Sequence, residues 1–309
     1  MSNPGRVAEW IDLLDPSEEE LQSSLPGPVH DRALERLRQP IKHDDEPRPT
    51  IESHGDYVYA VFIVPVCRRR QDKVFYQEID VLATHDVVLT VRKTPAGDRP
   101  FDETPIREEV AKNPNAHPGR IVFFVLDAVA EAYLQVVDEL DDEIDDLEEA
   151  VETRDPAYVR ERISDLRRHF LHIRRALWPT RDAADRVADK RVDLEGKELF
   201  TRSVELDFRD AYEKLLRAGD GLELSRDLLA SVRDYLQAKI ANDQNEVMKK
   251  LTVIASILLL PTFIVGLYGQ NFQHHFPEIH WRLGYLWSWG LIVVTTLLQL
   301  WFFRRKRWI

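Results

Sequence analysis

Cysteine is nearly absent. Cys67 stands alone in 309 residues, which excludes an intramolecular disulfide and fits a reducing compartment. No Gly-rich Walker pattern occurs, so ATP-driven chemistry is not implied. No nucleophile–base pair is evident from spacing, so the expectation is not an enzyme. Residues 1–29 are acidic and rich in Pro and Ser without an apolar core, and no N-terminal signal peptide is expected. Proline is missing between Pro179 and Pro261, and charge is missing from two long runs, 251–267 and 283–303.

Those uncharged runs organise the chain. About 20 apolar residues at ~1.5 Å rise cross the ~30 Å hydrocarbon core of a bilayer, so two spans are expected, at 248–268 and 283–303. Segment 248–309 carries seven Lys/Arg and one acid, leaving 35 basic against 53 acidic residues in the rest, a balance of −18. Such a body repels nucleic acid and attracts cations, or serves as a charged soluble surface. Lys249 and Lys250 precede the first span and 304–307 (RRKR) follow the second, whereas the loop between them has Arg282 alone. Both termini are therefore expected to be cytoplasmic, in a multi-pass protein of the cytoplasmic membrane. Trp281, Tyr285, Trp287 and Trp289 suit the outer interface with lipid, and Trp301 and Trp308 the inner one.

Ahead of the spans, residues 1–125 read as an α/β domain. Trp10-Ile11-Asp12-Leu13 is strand-like, and Glu18-Glu19-Glu20-Leu21 begins a helix. Segments 50–66 and 74–91 are rich in Val, Ile, Tyr and Phe. Turn-like His54-Gly55-Asp56 and Thr84-His85-Asp86 make each a hairpin. From Gly119 the pattern is helical, giving a helical region and stalk over 126–247. Leu140, Ile144, Leu147 and Val151 form one apolar edge on an acidic helix. Asp155-Pro156 marks a turn and a helix start. A basic helix follows with Arg160, Arg162, Arg167, Arg168, Arg174 and Arg175, expected to lie antiparallel to the acidic one. The acids read as a solvated face, with hydrated Mg²⁺ as the alternative. Leu206, Leu215, Leu222, Leu229, Leu236 and Ile240 suggest one very long helix running into the first span. Some seventy residues make it ~100 Å, with Gly219 and Gly221 as local weak points. A helix of that length needs partners, which predicts an oligomer. The fold class is α+β.

Within the first span the residues that are not simply apolar share one helical stripe: Asn245, Met248, Thr252, Ala255, Leu259, Thr262, Gly266 and Gly269. Small and hydroxylated residues on one face suit close helix packing, or the lining of a wet path if several copies surround an axis.

Asn245-Glu246-Val247-Met248-Lys249, Leu251-Thr252, Pro261, Thr262 and Tyr268-Gly269-x-Asn271-Phe272, followed by Pro277-Glu278, resemble the CorA family of divalent-cation transporters. Arg48-Pro49, Tyr57-Val58-Tyr59, Val88-Leu89-Thr90-Val91 and Arg174-Arg175-Ala176-Leu177-Trp178-Pro179-x-Arg181 add weaker pieces. The family carries Tyr-Gly-Met-Asn-Phe at the outer end of the first of two C-terminal spans. Gln270 replaces its Met, and Pro261 sits one residue later than its usual Pro-x-Thr. The resemblance implies a cytosolic α/β domain, a stalk and a membrane domain in an oligomeric funnel, a homopentamer. It implies passive influx of Mg²⁺ and Co²⁺ driven by the membrane potential, with divalent ions as cargo and regulatory ligands and no other cofactor. Asn271, with Gly269 and Gln270, takes the place of the selectivity filter. Asn245, Met248, Thr252, Leu259, Thr262 and Gly266 line the pore. Without the signature, Asn271 would read as a helix C-cap.

The outer loop adds Glu278, which matches the family's loop acid, and three histidines, His274, His275 and His280. Imidazoles beside a carboxylate suit Zn²⁺ better than Mg²⁺, although loop histidines that bind nothing are the plainer alternative. A Zn²⁺ transporter of the same fold is thus one rival reading, and a membrane-tethered sensor without flux is another. In the family, acids between cytosolic domains bind divalent ions and favour closure. Asp210 matches one of them, but the expected acidic partner stretch reads Leu34-Glu35-Arg36, and an Arg cannot ligate a cation. Asp44-Asp45-Glu46 is the substitute candidate.

Overall fold

The computed structural model describes residues 8–40, 48–68, 73–94, 100–196, 198–270 and 281–308. They form two compact units, Met1–Arg233 and Asp234–Ile309.

The first unit is built on a five-stranded sheet: β1 (Glu9–Leu14), β2 (Thr50–Ser53), β3 (Val58–Arg68), β4 (Lys73–Ala83) and β5 (Val87–Lys93). Their order is β1-β5-β4-β3-β2. The two expected hairpins are present, β2–β3 and β4–β5, both antiparallel. Gly55, with φ of 83°, makes the first turn, a left-handed conformation that side-chain-bearing residues avoid. β1 instead returns from far away in the chain to pair in parallel with β5, Glu9 opposite Val87. Residues 57–65 of β3 and its approach are buried without alternation, because both faces of this strand are covered and so require apolar side chains at successive positions.

Short helices α1 (Glu18–Ser24), α2 (Asp31–Arg38) and α3 (Thr104–Lys112) flank the sheet. α1 starts with a capping box, Ser17 accepting from Glu20 N while the Glu20 carboxylate accepts from Ser17 N. α4 (Pro118–Thr153) packs on β3 and carries the expected apolar edge, with Leu140, Ile144, Leu147 and Val151 all buried. Asp155 caps α5 (Pro156–Ala188) by accepting from Ala157 N at 2.7 Å, with Pro156 at the first helical position. α5 runs back along α4, tied to it by a bond from Arg162 Nε to Glu143 Oε1.

α6 spans Arg202–Tyr268, 67 residues, close to the length read from the apolar spacing. α6 runs on through Gly219 and Gly221, the two residues that spoke locally against one long helix; they are where other helices come close. A Cβ at Gly221 would lie 2.8 Å from Val137 Cγ1 on α4, and one at Gly219 would lie 3.2 Å from Trp178 on α5. Leu215, Leu222, Leu229 and Leu236 are buried as expected, whereas Leu206 is exposed and Ile240 half-exposed. Pro179 sits inside α5 without ending it. The chain turns instead at 189–201, helped by Lys190 and Gly196 at positive φ.

The second unit contains the C-terminal part of α6 and α7 (Gly284–Arg305).

Candidate ion pathway

Both helices of the second unit are long and apolar enough to cross a bilayer, and only 11% and 6% of their most apolar windows are buried. A core helix of a water-soluble protein would hide such a surface, so these faces require an apolar environment outside the chain. The pair is held together along one side of α6. Val253 and Ile264 are buried, and Ile257 and Leu260 are half-buried; at 100° per residue these four fall within about 60° of one another. A polar contact adds direction: Gln299 Nε2 on α7 donates to Ser256 O on α6 at 3.0 Å.

The stripe read from the sequence lies on the other side. Met248, Thr252, Ala255, Leu259, Thr262 and Gly266 are all exposed, as is Asn245. Thr252 Oγ1 donates to Met248 O at 2.8 Å and Thr262 Oγ1 to Leu258 O at 2.7 Å. These hydroxyls spend their protons on the helix backbone and present oxygen lone pairs outward. A Cβ at Gly266 would meet nothing within 4 Å, so no neighbour among the described residues requires a glycine there. Pro261 removes one helix N–H, yet α6 continues through it to Tyr268.

The φ of Gly269 is not positive, and its N–H donates to Val265 O at 2.9 Å, continuing the helical pattern. The departure comes one residue later, where Gln270 N is 3.5 Å from Leu267 O. Asn271, His274, His275, Glu278 and His280 lie outside the described residues, as do Asp44, Asp45 and Glu46.

Asp210 is exposed on α6. Its neighbour Asp207 pairs with Arg120 at 2.6 Å. Burial raises the Asp207 pKa, Arg120 opposes the shift, and Asp210 and Asp127 add to it. Asp127 is itself met by Lys214 at 2.7 Å. Two cations of the same chain therefore already answer the acids around Asp210. Among the described residues no group of three His, Cys, Asp or Glu side chains is arranged to hold a metal ion. Leu34, Glu35 and Arg36 lie on α2, where Arg36 O accepts from Lys93 Nζ.

A model of the CorA-like Mg²⁺ transporter proteins matches residues 7–305. The chain belongs to this family. Among its CorA-like relatives, the cobalt/magnesium transport protein CorA of Thermotoga maritima is 29% identical over 266 residues, 85% of this chain and 73% of that protein. The protein of the same name from Methanocaldococcus jannaschii is 24% identical, covering 97% and 91%. The solved structure of the CorA magnesium transporter from Methanocaldococcus jannaschii superposes with a TM-score of 0.77 at 22% identity, over 97% of this chain and 91% of that one. The shared fold is an N-terminal α/β domain, a long helix and two C-terminal apolar helices. Membership of a transporter family places this chain in a membrane.

The sequence reading missed Gln299. It sits in a run treated as uniformly apolar, and a lone amide there is the signal, since a polar side chain in hydrocarbon must find a partner.

Proposed function

We propose that this chain is a homo-oligomeric channel for divalent cations, Mg²⁺ and Co²⁺, working by passive influx across the cytoplasmic membrane. The observation that carries the reading is the stripe on α6. Its small and hydroxyl-bearing residues face away from α7, the partner within the protomer, and so are available to line an axis shared by several copies. The relatives' names support the cargo, and a pentamer is the oligomer that the family resemblance implies. A divalent ion crossing ~100 mV, inside negative, gains about 4.6 kcal/mol, twice the single-charge value, so no second energy source is required.

In this reading Asn271 forms the filter with Gly269 and Gln270. Mg²⁺ holds its waters tightly, so a ring of carboxamide oxygens recognises the hydrated ion better than it strips it. Asn245, Met248, Thr252, Leu259, Thr262 and Gly266 line the path below, and Glu278 raises the local cation concentration at the mouth. Both termini are cytoplasmic, following the positive residues that flank the spans. Asp210 is the remaining candidate for cytosolic regulation by the transported ion.

The test is ion flux into proteoliposomes carrying an internal Mg²⁺ dye, with an imposed potential. The wild type is expected to pass Mg²⁺ and Co²⁺, and Asn271→Ala to abolish uptake while keeping assembly and insertion. Normal flux through a folded Asn271→Ala protein would falsify the filter assignment. Absence of any divalent flux through the wild type would leave a tethered sensor as the better reading.

A further inference from the structure

The acidic balance of this chain makes most of its cations easy to satisfy, and one group is left over. Arg304, Arg305, Lys306 and Arg307 close α7, and all four are exposed. Among the described residues none of them forms an ion pair. Glu246, the acid of α6 nearest in sequence to its span, is already bonded to Lys250 at 2.7 Å. A helix C-terminus offers the equivalent of about half a negative charge, far less than four cations. The excess is left to the surroundings, which at the end of a span are lipid headgroups and water.

The group is fixed in place. Lys306 N donates to Phe302 O at 3.0 Å and Trp308 N to Phe303 O at 3.0 Å, so the chain turns back on itself. Arg307 makes that turn with φ of 55°, a left-handed conformation that side-chain-bearing residues rarely adopt. Trp308 thereby stacks on the buried Phe303, ring centroids 5.8 Å apart. The guanidinium carbon of Arg305 lies 5.4 Å from the Trp301 ring centroid, within cation–π range. Val294, Leu298 and Trp301 are exposed, and with Arg305 they fall within about 60° of one another around α7. One face of the helix is thus apolar for about two turns and ends in a held guanidinium.

That face suits an amphipathic anion whose charge sits at the membrane surface. We propose that the C-terminal end of α7 binds the phosphate of an anionic phospholipid, such as phosphatidylglycerol, in preference to a zwitterionic one. The guanidinium fork of Arg305 matches phosphate oxygens, Arg304 and Lys306 add charge beside it, and an acyl chain packs along Val294 and Leu298. A free phosphate would leave the apolar face uncovered. The site rests on α7 as a bilayer span and uses none of the residues assigned to the ion pathway, so it stands or falls independently of transport.

Native mass spectrometry of the full-length protein, equilibrated in detergent with equal amounts of phosphatidylglycerol and phosphatidylcholine, tests the assignment. Bound phosphatidylglycerol is expected to exceed phosphatidylcholine by about fivefold or more, the factor that one Lys or Arg near a membrane surface contributes. Arg304→Gln/Arg305→Gln should bring the two lipids within about twofold of each other, with Lys306 and Arg307 kept to direct insertion. Arg282→Gln, a control just before the other end of α7, should leave the preference unchanged. Arg305→Gln alone serves if the double variant fails to assemble, and should at least halve the preference. Equal binding of the two lipids by the wild type, or the full preference in a folded Arg304→Gln/Arg305→Gln protein, overturns the proposal. Displacement of phosphatidylglycerol by inorganic phosphate overturns the lipid assignment, because it would leave the apolar face without a role.

Discussion

Lys93 in β5 is shared between two carboxylates of β4. Its ammonium lies 2.6 Å from Asp80 Oδ2 and 2.5 Å from Glu78 Oε1, and donates to Arg36 O at 2.6 Å. Tyr59 OH donates to the other Asp80 oxygen at 2.7 Å. Tyr59, Asp80, Glu78 and Lys93 are all buried, so two carboxylates share one cation away from water. Burial, then the Glu78 charge, push the Asp80 pKa up to about 7, against the pull of Lys93 and Tyr59. Burial lowers the Lys93 pKa, but Asp80 and Glu78 outweigh it and the net direction is upward. Lys93→Met should cost about 3–5 kcal/mol at pH 8, because it strands two buried acids. Domains are commonly stable by only ~5–15 kcal/mol in total. At pH 5 the cost should shrink, since a stranded carboxyl can take up a proton instead of staying charged.

The sign for Asp80 itself follows from linkage. Its folded pKa of about 7 lies above the unfolded carboxylate value of ~3.9, so its contribution is complete below about pH 4 and is lost as pH rises toward 7. Asp80→Asn should therefore gain stability relative to wild type between pH 5 and pH 8, and should partly rescue Lys93→Met. Hydrogen exchange of β3, β4 and β5 amides in the full-length protein reads this opening free energy without involving the membrane helices. A Lys93→Met cost below ~1 kcal/mol at pH 8, or a cost independent of pH, would refute the electrostatic account and leave only packing.

Other expectations follow from single positions. Gly221→Ala gains about 1 kcal/mol of helix propensity but forces a methyl to 2.8 Å from the stiff, buried Val137, costing ~1–3 kcal/mol. A lower melting temperature is expected, with recovery in Gly221→Ala/Val137→Ala; a higher melting temperature for the single variant would show that α4 yields freely. Gln270→Met should shift relative uptake rates toward Mg²⁺, and unchanged rates for Mg²⁺, Co²⁺ and Zn²⁺ would make position 270 a spectator. Replacing His274, His275 and His280 together by Gln tests the zinc reading. Neutral imidazoles bind Zn²⁺ and protonated ones cannot, so wild-type Zn²⁺ uptake should fall as external pH drops through ~6.5, while Mg²⁺ uptake falls less. The triple variant should lose that difference and need more Zn²⁺ for half-maximal uptake; an unaltered profile removes the histidines from consideration.

The membrane helices, the two hairpins and the Asp155-Pro156 helix start were legible because their causes are local. An uncharged run of span length, a Gly in a turn and a Pro behind a capping Asp act within a few residues of themselves. The stripe of small and hydroxyl-bearing residues on α6 was legible for the same reason, as periodicity on one helix. Which way that stripe faces was not, because the side of α6 that α7 covers depends on Val253, Ile264 and the Gln299–Ser256 bond, 43 residues apart. Gly219 and Gly221 could be read only as weak points until Trp178 and Val137 stood beside them. The parallel return of β1 to β5 and the buried sharing of Lys93 between two acids likewise join residues distant in sequence. Sequence alone determined where the chain is apolar and which face of each helix differs. Tertiary structure decided which faces meet, because the free energy of burial attaches to the partner surface and not to the segment that carries it.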